Sequence, residues 1–199
     1  MTLTKVQAEG VNLADTFAFT GPVTGGGMDL LYTLTSSSSV SAHDISSTYI
    51  NSTYDNYSLV GYFEGDADTR YLQMQVFVGG TIQTGNIHAF SNMHIDSADD
   101  HSNAQGEPNL VTTSVYGMGG EDGEGVSVNA VFQNANSTQA PFCVSGFATL
   151  SHTSANHAGY IFSGSLIPAN RANVVNGLRL KMHSGNINYA KFKLYGLKD

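Results

Sequence analysis

The chain has 199 residues, a net charge of −8 and a charged share of only 12%, which disfavours nucleic-acid binding by the chain as a whole, because that needs a dominant basic surface. No run approaches the roughly 20 apolar residues of a membrane-spanning helix, and the single cysteine, Cys143, excludes a disulfide framework or a cysteine-based zinc cluster. The length suits one sizeable core, and 22 glycines among abundant Ser, Thr and Asn suit short strands joined by tight loops.

Met1–Val6 lacks a charged start followed by an apolar run, so no N-terminal signal is expected. Phe17 and Phe19 alternate with Thr16, Ala18 and Thr20, which predicts a short strand near residues 15–20. Gly25, Gly26 and Gly27 form a flexible joint. Residues 1–28 therefore read as an extended Gly-rich N-terminal arm, unable to bury enough apolar surface alone and ordered by a partner. Residues 29–199 read as one domain.

Asp29–Thr35 reads as a strand, followed by a serine loop at 36–39. Tyr57–Phe63 and Tyr71–Val78 read as two strands of a hairpin across Glu64–Arg70, with Leu72, Met74, Val76 and Val78 on one face. His88–His94 is a further strand, followed by a long polar loop from Asp96 to Asn109. Strands are also predicted over Leu110–Tyr116, Val126–Phe132, Phe142–Leu150 and Gly159–Ile167, with a single helical turn after Pro168. At the C-terminus, Leu178, Leu180 and Met182 alternate with Arg179, Lys181 and His183, and Phe192 and Leu194 alternate with Lys191, Lys193 and Tyr195. With a turn at Ser184–Asn186, this predicts a closing hairpin with one apolar and one basic face. Roughly ten strands at near-regular spacing point to an all-β, antiparallel β-sandwich, jelly-roll-like in its wrapping.

All but two of the eight Lys and Arg residues lie after residue 170. The basic face of the last hairpin (Arg179, Lys181, Lys191 and Lys193) is the expected contact with an acidic neighbour. A low charge share also fits surfaces buried against other subunits, which are depleted in Lys and Glu, although a Ser/Thr/Asn-rich polar set explains it equally well.

Sites for chemistry are sparse. His88 and His94 share a strand face about 20 Å apart, too far to hold one ion. His152 and His157 flank a small loop with no fixed third ligand. Glu64, Asp66 and Asp68 alternate in a turn, but Thr69 and Arg70 break the calcium-loop pattern. Gly119–Gly125 reads as a loop. Asn51, Asn56 and Asn136 fit the glycosylation acceptor pattern, which a chain this rich in Ser and Thr matches by chance. There is no nucleophile elbow, phosphate loop or dinucleotide fingerprint. Cys143 sits in an apolar run as a buried small hydrophobe. Tyr49, Tyr54, Tyr57, Tyr62 and Tyr71 cluster around one predicted hairpin. Subunit contact, core filling and glycan stacking are all open to them. No catalytic, cofactor or metal residues are assigned.

Ser47–Val60, Asp66–Gln75 and Met182–Leu197 together resemble virion structural proteins of tailed phages of marine bacteria, cyanophages among them. The features are a Tyr-x-x-Tyr strand entry, an acidic turn before an alternating strand, and a closing Ser184-Gly-Asn-Ile … Lys193-Leu-Tyr-Gly196 segment. Val11–Gly21 is similar to lead-in segments of phage fibre and virion-surface proteins. The resemblance implies a β-sandwich on the particle surface, made in the host cytoplasm, oligomeric and without catalytic residues. The chain is short and has no coiled-coil heptads, so it resembles a compact capsid decoration or cement protein more than a long fibre. The expected partners are further copies of itself (a trimer favoured) and the major capsid or tail proteins, with no nucleic acid and no membrane. The alternative is a tail-associated module recognising host surface glycan. Phe17, Phe19, Tyr54 and Tyr57 join the four basic residues as candidate interface positions.

Overall fold

The computed structural model describes residues 27–95, 101–113, 117–151 and 157–198. The alternating patterns become antiparallel strands in two packed sheets. The larger sheet has eight strands, in the order β1 (Met28–Ser36), β13 (Ile187–Leu197), β3 (Asn56–Gly65), β9 (Gly125–Gln133), β10 (Cys143–Ser151), β11 (His157–Leu166), β6 (His88–Ile95), β7 (His101–Glu107). The smaller sheet has five: β2 (His43–Ile45), β12 (Val175–Met182), β4 (Leu72–Val78) and β5 (Thr81–Ile82), with β8 (Leu110–Val111) also pairing with β4. All pairings are antiparallel. One core lies between the sheets. It contains Tyr57, Leu59, Phe63, Val128, Phe132, Tyr160, Phe192 and Leu194 from the large sheet and Ile45, Leu72, Met74, Val76, Leu178 and Leu180 from the small one. The antiparallel sandwich is thus as the alternation indicated.

Two expected hairpins are corrected. The arms at 57–63 and 71–78 do not pair with each other, because β3 lies in the large sheet and β4 in the small one. The same holds for the C-terminal arms: β12 pairs with β2 and β4, and β13 with β1 and β3. Both pairs are arches that cross between the sheets, and they cross side by side, since β3 pairs with β13 and β4 with β12. Each arm is apolar on the side facing the other sheet, so local alternation is the same for an arch and a hairpin.

The arch corners are clasped by polar contacts. Asp66 Oδ2 accepts from Asn186 N at 2.8 Å, and Asp66 N donates to Asn186 O at 3.1 Å. Arg70 Nε donates to Asp66 Oδ1 at 3.1 Å, and its Nη1 donates to Ser184 Oγ at 2.9 Å. Tyr71 stacks on His183, with centroids 3.9 Å apart and planes 5° from parallel. His183 N donates to Tyr71 O at 3.0 Å, and Tyr71 N donates to His183 Nδ1 at 3.4 Å. Gly185 turns this corner with φ +73°, and any Cβ there would collide with the Asp66 carboxylate, so two independent constraints require glycine.

The expected polar loop at 96–109 is corrected in its second half, which is edge strand β7. His101–Glu107 carries no apolar alternation and is held by backbone pairing to β6. Strand Leu110–Tyr116 shortens to the two residues of β8 within the described part of the chain. The turn after Pro168 is a 3₁₀ turn, Pro168–Asn170. The arm and its predicted strand at Phe17 and Phe19 lie outside the described residues, except that Gly27 O accepts from Lys198 N and Met28 already begins β1.

Three histidines are held neutral by their surroundings. Burial lowers the pKa of His43, His88 and His183 below 6.5, with the positive charges of Arg70 and Lys181 adding to the effect at His183. The unfolded chain takes up these protons from about pH 6.5 downward while the folded chain still resists them, so stability is fullest above that pH and is lost as pH falls. Denaturant unfolding should show a lower free energy at pH 5.5 than at pH 7.5, with a shallower decline in His183→Phe, which keeps the ring stack. In the same assay Gly185→Ala is expected to cost about 1–3 kcal/mol. A cost near zero would remove the corner clasp from the account.

Candidate functional site

Strand register places the outer face of the large sheet in straight cross-strand rows. One row reads Thr33, Lys193, Val60, Asn129, Phe147, Ile161 and Met93. The next reads Thr35, Lys191, Tyr62, Ser127, Thr149, Gly159 and Ile95. An outer face is normally polar, yet Phe147 is 62% exposed, Ile95 49%, Val60 47%, Met93 45% and Ile161 39%. Phe147, Ile161 and Met93 are direct neighbours on β10, β11 and β6 and make a continuous apolar line.

Beside this line a shallow groove of about 460 Å³ runs over β13, β3, β9 and β10, with Val60, Tyr62, Asn129, Phe147, Lys191 and Lys193 among its lining residues. Tyr62 is fixed in place. Its hydroxyl donates to Glu64 Oε1 at 2.9 Å, and Gly123 N donates to the same oxygen at 3.0 Å. Its ring lies 6.2 Å from that of Tyr189 and fits over the bare Cα of Gly125, where a Cβ would stand 2.6 Å from the phenol oxygen. Burial, then the acceptor Glu64, pushes the Tyr62 phenol far above its ordinary range, so it remains a neutral donor. Lys191 and Lys193 are exposed on the rim, and no described residue offers either a hydrogen bond or an ion pair.

The four basic candidates do not share a face. Arg179 and Lys181 lie on the small sheet and Lys191 and Lys193 on the large one. Arg179 is committed within the chain: Nε and Nη2 both reach the Asp44 carboxylate at 2.7 Å, and the guanidinium lies 5.8 Å from the Phe77 ring centre. Asp44 raises the Arg179 pKa. Lys181 Nζ donates to Gln73 Oε1 at 3.2 Å, and burial lowers its pKa. The expected single basic face is corrected accordingly: the apolar sides of β12 and β13 face each other through the core, so their charged sides point in opposite directions.

Tyr57 is fully buried and is a core residue rather than a surface anchor. Its hydroxyl donates to Asn51 O at 2.7 Å and accepts from Asn51 N at 3.0 Å. Tyr54 donates to Asp29, which also pairs with Lys198 at 2.7 Å, and packs 6.0 Å from the Tyr57 ring. Phe17 and Phe19 lie outside the described residues. Of the five clustered tyrosines only Tyr62 lines the groove, while Tyr49 stacks on Tyr32 at 4.5 Å.

His88 and His94 are buried. His88 Nδ1 lies 3.1 Å from Glu107 O, and His94 packs on Tyr160 at 4.9 Å. No group of three His, Cys, Asp or Glu suited to a metal occurs among the described residues. Asp68 accepts from Gly120 N at 2.8 Å, so with Glu64 the acidic turn buttresses the 117–125 loop. Cys143 is half-buried, and burial raises its pKa.

Comparison with known proteins yields no significant match to a family model, a curated protein or a solved structure.

The Arg179–Asp44 pair is partly exposed, at 30% and 41% of the side chains, so its worth is limited by solvent screening. Asp44→Asn should lower the unfolding free energy by no more than about 1 kcal/mol and leave any self-association unchanged. Loss of association would return the small sheet's basic residues to the interface.

Proposed function

We propose that the chain is a non-enzymatic structural protein of a phage particle surface, a capsid decoration or cement protein that assembles as a homo-oligomer on the major capsid or tail proteins. The observation that supports this reading is the exposed apolar line Phe147–Ile161–Met93, with Ile95 beside it. Apolar surface gains about 25 cal/mol per Å² on leaving water, and contiguous exposed patches of this kind mark association sites. The phage setting rests on the resemblance of Ser47–Val60, Asp66–Gln75 and Met182–Leu197 to marine phage virion proteins.

The second reading, a tail-associated module that recognises host glycan, is favoured by one feature: the tyrosine-floored groove beside that line.

In sedimentation, the wild-type chain should be oligomeric at tens of micromolar, and Ile161→Lys with Met93→Lys should be monomeric while still unfolding cooperatively. Both side chains are well exposed, so the folded subunit loses little. A wild-type chain that stays monomeric and does not bind particles lacking it would contradict the proposal.

A further inference from the structure

We propose that the groove over β13, β3, β9 and β10 is a binding site for an acidic oligosaccharide, one bearing carboxylate or sulfate groups. This deepens the glycan-recognising reading of the same groove and rests on it; the groove shares Phe147 with the assembly line and otherwise uses different residues. The groove borders the apolar line but is floored by Val60 and the fixed ring of Tyr62 and rimmed by Lys191 and Lys193.

Three features select the ligand class. The first is charge. Lys191 and Lys193 follow each other on one side of β13, about 7 Å apart, with no described residue paired to either. Arg179, Arg70 and Lys198 are by contrast all bound to carboxylates within the chain. Two unpaired cations on a chain of net charge −8 favour an anionic ligand there. Glu64, the carboxylate nearest in the register, is occupied by the Tyr62 hydroxyl and Gly123 N.

The second is the floor. The Tyr62 ring is held from three sides before any ligand arrives, which lowers the ordering cost of binding. Tyr62 thus offers an apolar ring to the C–H face of a sugar. Asn129, Ser127, Thr149 and Thr33 stand around it as hydrogen-bonding side chains.

The third is the backbone. β13, β3, β9 and β10 are all interior strands, paired on both sides. An extended peptide gains affinity by adding to a free strand edge, whereas the groove lies on the face of these four interior strands, with the edge strand β1 contributing only Thr33. The groove spans four strands, about 14 Å across, enough for a short oligosaccharide.

The test uses the full chain and three named probes in isothermal titration calorimetry: a mannuronate hexamer (carboxylates), a carrageenan-derived hexasaccharide (sulfates) and neutral maltohexaose. A Glu decamer serves as the acidic peptide. The expected result is binding of at least one acidic sugar, weakened at high salt, with no comparable binding of maltohexaose or the Glu decamer. Lys191→Gln with Lys193→Gln should weaken it roughly five- to tenfold, and Tyr62→Leu should weaken it with either acidic sugar. Ile161→Lys should leave it unchanged, which separates this site from the assembly line. Thermal unfolding of each variant confirms that it is folded. The proposal is overturned if neither acidic sugar binds at millimolar concentration, if maltohexaose or the Glu decamer binds equally well, or if the folded groove variants bind like the wild type. Loss of binding in Ile161→Lys alone would also overturn it, because the ligand would then lie on the assembly line.

Discussion

The constraint on which the structure depends is the paired crossing of two arches. β3 and β4 leave the large sheet for the small one at the same corner where β12 and β13 make the opposite crossing. Each strand of one arch pairs with a strand of the other, in both sheets. The corner loops are joined by Asp66, Arg70, Ser184 and Asn186 and by the Tyr71–His183 stack. This clasp links segments more than a hundred residues apart in sequence, at the corner where each arch delivers a strand to both sheets. A polar clasp of this kind stabilises only while every partner is in place, which explains why the turn demands glycine at 185 and an uncharged imidazole at 183.

The outer face follows from that geometry. Because Phe192 and Leu194 enter the core, Lys191 and Lys193 must stand on the opposite surface, beside Val60 and Tyr62 of the paired strand. Core and groove are thus two sides of the same strands. The large sheet is eight strands wide while the small one is five, leaving a broad solvent face whose middle rows run from lysines on β13 to apolar residues on β10, β11 and β6. The groove at the lysine end and the apolar line toward β6 divide that face into two regions of different chemistry. One suits a polar anionic ligand and the other a packed partner.

Much of this was legible in the sequence, for reasons specific to particular residues. Leu72, Met74 and Val76 alternate because one side of β4 meets the core, and Val126, Val128 and Ala130 alternate on β9 for the same reason. The arches look like hairpins in sequence because period two reports which side of a strand is buried, not which strand lies beside it. β7 was invisible because an edge strand held by backbone pairing needs no apolar face. The exposed apolar line was not anticipated, although it has a signature. Phe147 is out of phase with the buried Val144, Ala148 and Leu150, and Ile161 sits between the buried Tyr160 and Phe162. Large apolar residues on the wrong side of an alternating strand mark a surface that water alone does not explain. Tyr57 and Tyr62 look alike in sequence, and only their odd and even places around the crossing strand separate a core residue from a groove residue.

The proposed role places the protein's contacts on the outer face of its large sheet. Electron cryo-microscopy of assembled particles carrying the protein tests that placement most directly. The account predicts that Phe147, Ile161 and Met93 lie against a neighbouring subunit while the small sheet, with Arg179 and Asp44, faces away from it. A particle in which the large sheet's outer face looks into solvent and the small sheet makes the contact would contradict it.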